Sequence, residues 1–162
     1  MPGHGSTASH KINICYPVLP RVARVYLITT ASYKMKRILL VDDESDVCFA
    51  LEKVLGKNGF FVDSYENPTL ALDNFEAHSY DLVVLDIKMP GLNGFALYRE
   101  IKRSNKKFKV CFITAGEIYY EEYSDIFSSL PRKCFIRKPI ENEELMKRIN
   151  EIIGDDTNSY HT

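Results

Sequence analysis

Short apolar runs that end in an acid, alternating with amphipathic segments of helix length, constrain this chain more than any other feature. Ile38-Leu39-Leu40-Val41 runs into Asp42-Asp43, and Leu82-Val83-Val84-Leu85 runs into Asp86. Continuous apolar runs of this length suit strands covered on both faces, and strands alternating with helices build βαβ units around a parallel sheet. Five such rounds are legible from Lys36 onward.

The first helix carries Val47, Ala50, Leu51, Val54 and Leu55 on one face and stops near Asn58-Gly59. Phe60 to Tyr65 alternates like a half-buried edge strand. Asn67-Pro68 caps a second helix reaching about His78, with Pro68 at its first position. After the Leu82 run come the turn formers Met89-Pro90-Gly91-Leu92-Asn93-Gly94, and Asn93 caps a helix bearing Phe95, Leu97, Tyr98 and Ile101. Val110 to Ala115 is the fourth strand. A helix from Glu117 to about Ser128 follows, with Tyr119, Tyr123 and Phe127 facing inward and Tyr120, Glu121 and Glu122 outward. Cys134-Phe135-Ile136 is a short fifth strand, and Glu141 to Ile153 closes the domain with Leu145, Ile149 and Ile153 at helical spacing.

A chain of 162 residues, 45% of them hydrophobic, can bury one sizeable core but has no room for a second folded domain. The formal charge of -1 provides no overall field for nucleic acid or an anionic membrane. Residues 1–34 hold Lys11, Arg21, Arg24 and Lys34 and no acid, so the body is mildly acidic. The basic run Lys102, Arg103, Lys106, Lys107 and Lys109 has no aromatic stacking platform beside it and reads as a solvated helix end. Cys15, Cys48, Cys111 and Cys134 lack metal-ligand spacing and read as reduced thiols. Pro17, Pro20, Arg21 and Arg24 interrupt the apolar stretch from Ile12 to Ala31, so no membrane span is expected.

In an open parallel sheet the ligand site lies beyond the carboxyl ends of the strands, near the point where strand order reverses. Asp42-Asp43, Asp86, Thr114-Ala115 and Lys138-Pro139 all fall at such ends. Two like charges ~4 Å apart repel by roughly 4 kcal/mol at an effective dielectric of 20, so the carboxylates call for a cation. Magnesium suits an all-oxygen set. An aspartate beside such an ion can attack a phosphorus centre while metal and lysine neutralise the charge on the transferring group. Taken singly, each acid reads as a cap or turn residue, Lys138 as a surface lysine and Thr114 as a strand residue; Asp63 and Asp81 read as ordinary strand-border acids.

The four motifs, in this order and spacing, resemble those of the response-regulator receiver domain of two-component signalling, over Met35 to about Ile153. The resemblance implies a flavodoxin-like, doubly wound α/β fold, with a five-stranded parallel sheet of order 2-1-3-4-5 and five helices. It implies Asp86 as phosphoacceptor, with Thr114 and Lys138 assisting. Magnesium ligands would be Asp42, Asp43, Asp86 and the backbone carbonyl of Lys88, with Asp42 acting through water. Lys138-Pro139 would be cis, and Thr114 with Phe135 would form the switch that repacks the surface of the fourth helix, fifth strand and fifth helix. Lys88 is expected to overhang the phosphoryl group while Gly116 offers no side chain to orient water, so autodephosphorylation should be slow.

The implied protein is a stand-alone signalling switch and not an enzyme in the ordinary sense. It is expected in the cytoplasm, since its phosphodonors are cytosolic, although Val25 to Ala31 has the outline of a signal-peptide core. Expected partners are a sensor histidine kinase or phosphotransfer protein and a downstream protein, with no direct nucleic-acid or membrane contact. It would be a monomer or a phosphorylation-dependent dimer. Residues 1–34 read as a flexible extension or a mis-set start, 35–154 as the receiver domain, and 155–162 as a disordered tail. One rival is a phosphohydrolase of the haloacid dehalogenase kind, but Lys88 stands where that class needs a second acid. The other is a non-phosphorylated pseudo-receiver acting as an interaction module, which would lack one of the acid, threonine or lysine residues.

Overall fold

The computed structural model describes residues 35–104, 106–116 and 123–154. The expected extension 1–34, the tail 155–162, and Tyr119, Tyr120, Glu121 and Glu122 lie outside the described residues. Strands β1 (Arg37–Val41), β2 (Phe61–Tyr65), β3 (Leu82–Asp86), β4 (Lys109–Thr114) and β5 (Phe135–Arg137) form one sheet in the order β2-β1-β3-β4-β5. Every pairing is parallel. Helices α1 (Ser45–Lys57), α2 (Pro68–Ala77), α3 (Gly94–Lys102), α4 (Ser124–Ser129) and α5 (Asn142–Gly154) connect or follow the strands. The doubly wound α/β fold expected from the sequence is therefore present, with order 2-1-3-4-5.

The apolar runs sit where their composition demands. All five residues of β3 are buried, and so are the last four of β1. Edge strand β2 is only partly covered, and Phe61 stays exposed. Phe75, Phe95 and Phe112 are the largest fully buried side chains. Local signals act as their chemistry dictates: Asn67 Oδ1 accepts from the amides of Thr69 and Leu70, and Asn93 Oδ1 accepts from that of Ala96. Gly59, at φ +87°, follows the end of α1 in the left-handed region that glycine tolerates.

Some boundaries move. Cys134 belongs to a 3₁₀ turn, Arg132–Cys134, so β5 starts one residue later than expected. The described part of α4 begins at Ser124. The basic run is less solvated than expected, because Lys106 Nζ donates to the carbonyls of Phe75, at 2.8 Å, and His78, at 3.1 Å, and also reaches Glu76. It thereby occupies the electronegative end of α2, where carbonyls lack helical partners. Lys109 Nζ similarly donates to Ile153 O at 2.7 Å. Among the described residues no helix is long and apolar enough to cross a membrane. Cys48, Cys111 and Cys134 are buried.

Candidate functional site

The order of the sheet reverses between β1 and β3, since the chain steps outward from β1 to β2 and then returns to β3. The carboxyl ends of those two strands therefore diverge to opposite sides and leave a crevice. Asp42 stands immediately after β1, Asp86 ends β3, Thr114 ends β4 and Lys138 follows β5. Asp42, Asp86 and Thr114 are the three buried polar or charged residues among those described. Burying such groups is costly unless they are paired, so their gathering at one edge marks the site.

Lys138 ties them together. Its Nζ lies 2.7 Å from Asp42 Oδ2 and 3.1 Å from Asp86 Oδ1, with Glu44 Oε1 at 3.7 Å. Its amide donates to Thr114 O at 2.8 Å, which fixes the end of β5 against β4, and the Lys138-Pro139 peptide is cis. Asp86 Oδ2 accepts from the amide of Lys88 at 2.7 Å, and Asp42 Oδ1 accepts from that of Glu44 at 3.0 Å. Burial pushes the Asp86 carboxyl above the ordinary range, and Asp42 adds to this; Lys138 and the Lys88 amide only partly offset it. Burial pulls the Lys138 ammonium down, but Asp42 and Asp86 outweigh it and hold the ammonium above its usual value. The net picture is a protonated lysine shared by two acids, with negative charge left over.

The surrounding backbone is shaped to this cluster. A Cβ at Gly94 would overlap the Asp86 carbonyl oxygen, and the Gly94 amide donates to Ile87 O at 3.1 Å, so the loop after β3 folds back on its own start. A Cβ at Gly116 would overlap Lys88 Nζ and Cε, so the Lys88 side chain lies across Gly116. Thr114 Oγ1 accepts from the Gly116 amide at 3.3 Å. Cys48 Sγ donates to Asp42 O at 3.2 Å, and burial pushes its thiol up to about 11. Phe135 is half-buried, stacked on Phe112 with centroids 5.4 Å apart and tilted against Phe127 at 4.6 Å.

Magnesium is implied by the sequence, and the fit is partial. Oxygen donors with unmatched charge at Asp42 and Asp86 suit a hard cation. Asp43, however, is exposed, and among the described residues no group of three or more acid, histidine or cysteine side chains is arranged to hold a metal ion.

The sequence profile described as "Response regulator receiver domain" matches residues 38–150. The chain belongs to this family. The receiver is similar to the response regulator ArlR of Staphylococcus aureus, at 32% identity over 119 residues, which cover 74% of this chain and 53% of ArlR. The chain thus spans about half the length of the curated relatives it matches. Among solved structures it resembles the response regulator TrrA of Thermotoga maritima in complex with Mg(2+)-BeF, with a TM-score of 0.63 and 33% identity. That match covers 73% of this chain and 99% of TrrA. CheY4 of Vibrio cholerae, a chemotaxis protein, shares the fold at a TM-score of 0.63 and 18% identity, covering 73% of this chain and 98% of CheY4.

Asp63 and Asp81, expected as ordinary strand-border acids, each pair with a basic side chain at or just before the start of β1. Asp63 pairs with Arg37 Nε at 2.7 Å, and Asp81 with Lys36 Nζ at 2.9 Å. Tyr123 faces inward onto Phe95, as expected, but its hydroxyl also accepts from Asn93 Nδ2 at 2.8 Å, which the sequence did not reveal. Neither set carries a periodicity signal, because each partner comes from a different βα unit.

Proposed function

We propose that this receiver accepts a phosphoryl group on Asp86 from the phosphohistidine of a sensor histidine kinase or phosphotransfer protein, and signals to a downstream protein in the cytoplasm. A single observation supports the reading: two buried carboxylates, Asp42 and Asp86, share the one ammonium of Lys138 at the switch point of the sheet. An Asp86 oxygen attacks phosphorus, the P–N bond breaks, and the imidazole leaves with the electron pair. Lys138 neutralises charge on the transferring oxygens, and the Thr114 hydroxyl donates to one of them. Asp42, Asp43, Asp86 and the Lys88 carbonyl would hold magnesium, which when bound supplies charge neutralisation at the same oxygens. Lys88, lying across Gly116, shields the phosphoryl group from water, so loss of the group is slow. Thr114 and Phe135 relay the change to the surface formed by α4, β5 and α5.

Incubation with a small phosphodonor and magnesium, followed by mass measurement and phosphate release, tests this directly. A stable acyl-phosphate mass shift that vanishes in Asp86→Ala is expected. Rapid multiple turnover would indicate a hydrolase instead, and an unchanged mass would leave only an interaction module.

A further inference from the structure

Helix α4 has six residues and no side-chain cap; Tyr123, at its N-cap, sits at φ -122° and ψ 29°. Helices this short do not hold themselves in water, so α4 depends on tethers to its neighbours. One tether is the exposed pair Arg99–Asp125 at 2.9 Å, which is worth little in solvent. Ile126 is buried, Phe127 packs on Phe95 at 5.5 Å and on Phe135 at 4.6 Å, and a further tether is built on Tyr123. Its ring packs on Phe95 at 4.4 Å, and its hydroxyl accepts from Asn93 Nδ2 at 2.8 Å. The Asn93 amide is oriented by its own duty, because Oδ1 accepts from Ala96 N at 2.9 Å and so turns Nδ2 toward Tyr123. The next residue, Gly94, closes the loop that starts at Asp86, its amide donating to Ile87 O.

We propose that the Asn93–Tyr123 hydrogen bond helps keep α4 closed on α3 and is the polar link that couples it to the Asp86 loop. Asn93 and Tyr123 are then positioning residues: loosening α4 loosens the loop, and a change in the loop reaches α4 by the same bond. This deepens the phosphoacceptor reading, because the loop is the one beside Asp86. Its test needs no phosphoryl group. A protein that exchanged as expected but took up no phosphate would keep the tether and lose that reading.

Amide hydrogen exchange of the unphosphorylated chain provides the measurement. Tyr123→Phe keeps the ring and removes the hydroxyl. It should speed exchange at Ile126, Phe127 and Leu130 by about three- to tenfold, the worth of one hydrogen bond. Leu92 and Gly94 should quicken with them, while Leu145 in α5 stays unchanged. Asn93→Ser retains a cap for α3 but is too short to reach Tyr123; it should reproduce the effect, and the double variant should add nothing further. Unaltered exchange in α4, or quickening confined to α4 with Leu92 and Gly94 unmoved, would overturn the proposal.

Discussion

Where the strands begin, Arg37 meets Asp63 at 2.7 Å and Lys36 meets Asp81 at 2.9 Å; where they end, the ammonium of Lys138 is shared by Asp42 and Asp86. The first set keeps its side chains 20–53% exposed, whereas Asp42 and Asp86 keep 2% and 6%. Solvent screens the first set, and its net contribution is small. At the second, desolvation is nearly complete and one positive charge faces two negative ones, so the pocket is electrostatically unfinished. The same residue types thus build a fastening at one end of the sheet and the candidate site at the other, and burial makes the difference.

Removing the cation at the buried end should break this contrast most sharply. Lys138→Met is expected to cost about 3–5 kcal/mol at pH 7, read as a fall in the urea midpoint, because two buried carboxylates lose their partner. The deficit should shrink as pH falls. Burial already raises the Asp86 carboxyl, so the native state binds more protons than the unfolded chain, and stability drops as pH rises through that range. A deficit independent of pH would mean that the lost contribution is packing.

Lys88→Asn tests whether the cation lying across Gly116 guards the site. The half-life of the phosphorylated form should shorten about tenfold, equivalent to ~1.4 kcal/mol. A half-life that barely shortens, or lengthens, argues against the guard. Magnesium tests the unmatched charge itself: at about ten times its dissociation constant it should stabilise the unphosphorylated chain by about 1.4 kcal/mol, seen in the urea midpoint. Asp43→Ala should lose that gain if the exposed Asp43 completes the ligand set. At the other end, Asp63→Asn should cost only about 0.2–1 kcal/mol and leave phosphoryl uptake intact. A loss of uptake there would show that the two ends are coupled.

Much of the fold could be read directly from the chain. The apolar runs 38–41 and 82–85 specified central strands, and Asn67-Pro68 and Asn93 specified helix starts, because periodicity and capping act within a few residues. The candidate site was legible for a related reason: a parallel sheet gathers the residues at its strand ends, so position along each strand already determined that Asp42, Asp86, Thr114 and Lys138 would meet. What the chain could not show is who pairs with whom once they arrive. Lys138 bridging two acids, Arg37 claiming Asp63, Lys106 occupying the end of α2 and Asn93 reaching Tyr123 all join residues from different βα units, and the exposure of Asp43 likewise depends on the folded surroundings.

The sequence by itself determined the order of elements and which residues share an edge, since both follow from local pattern and the geometry of parallel strands. Only the tertiary structure decided the charges, because a pKa and a hydrogen-bond partner depend on burial and on groups distant in the chain, and neither leaves a periodic trace.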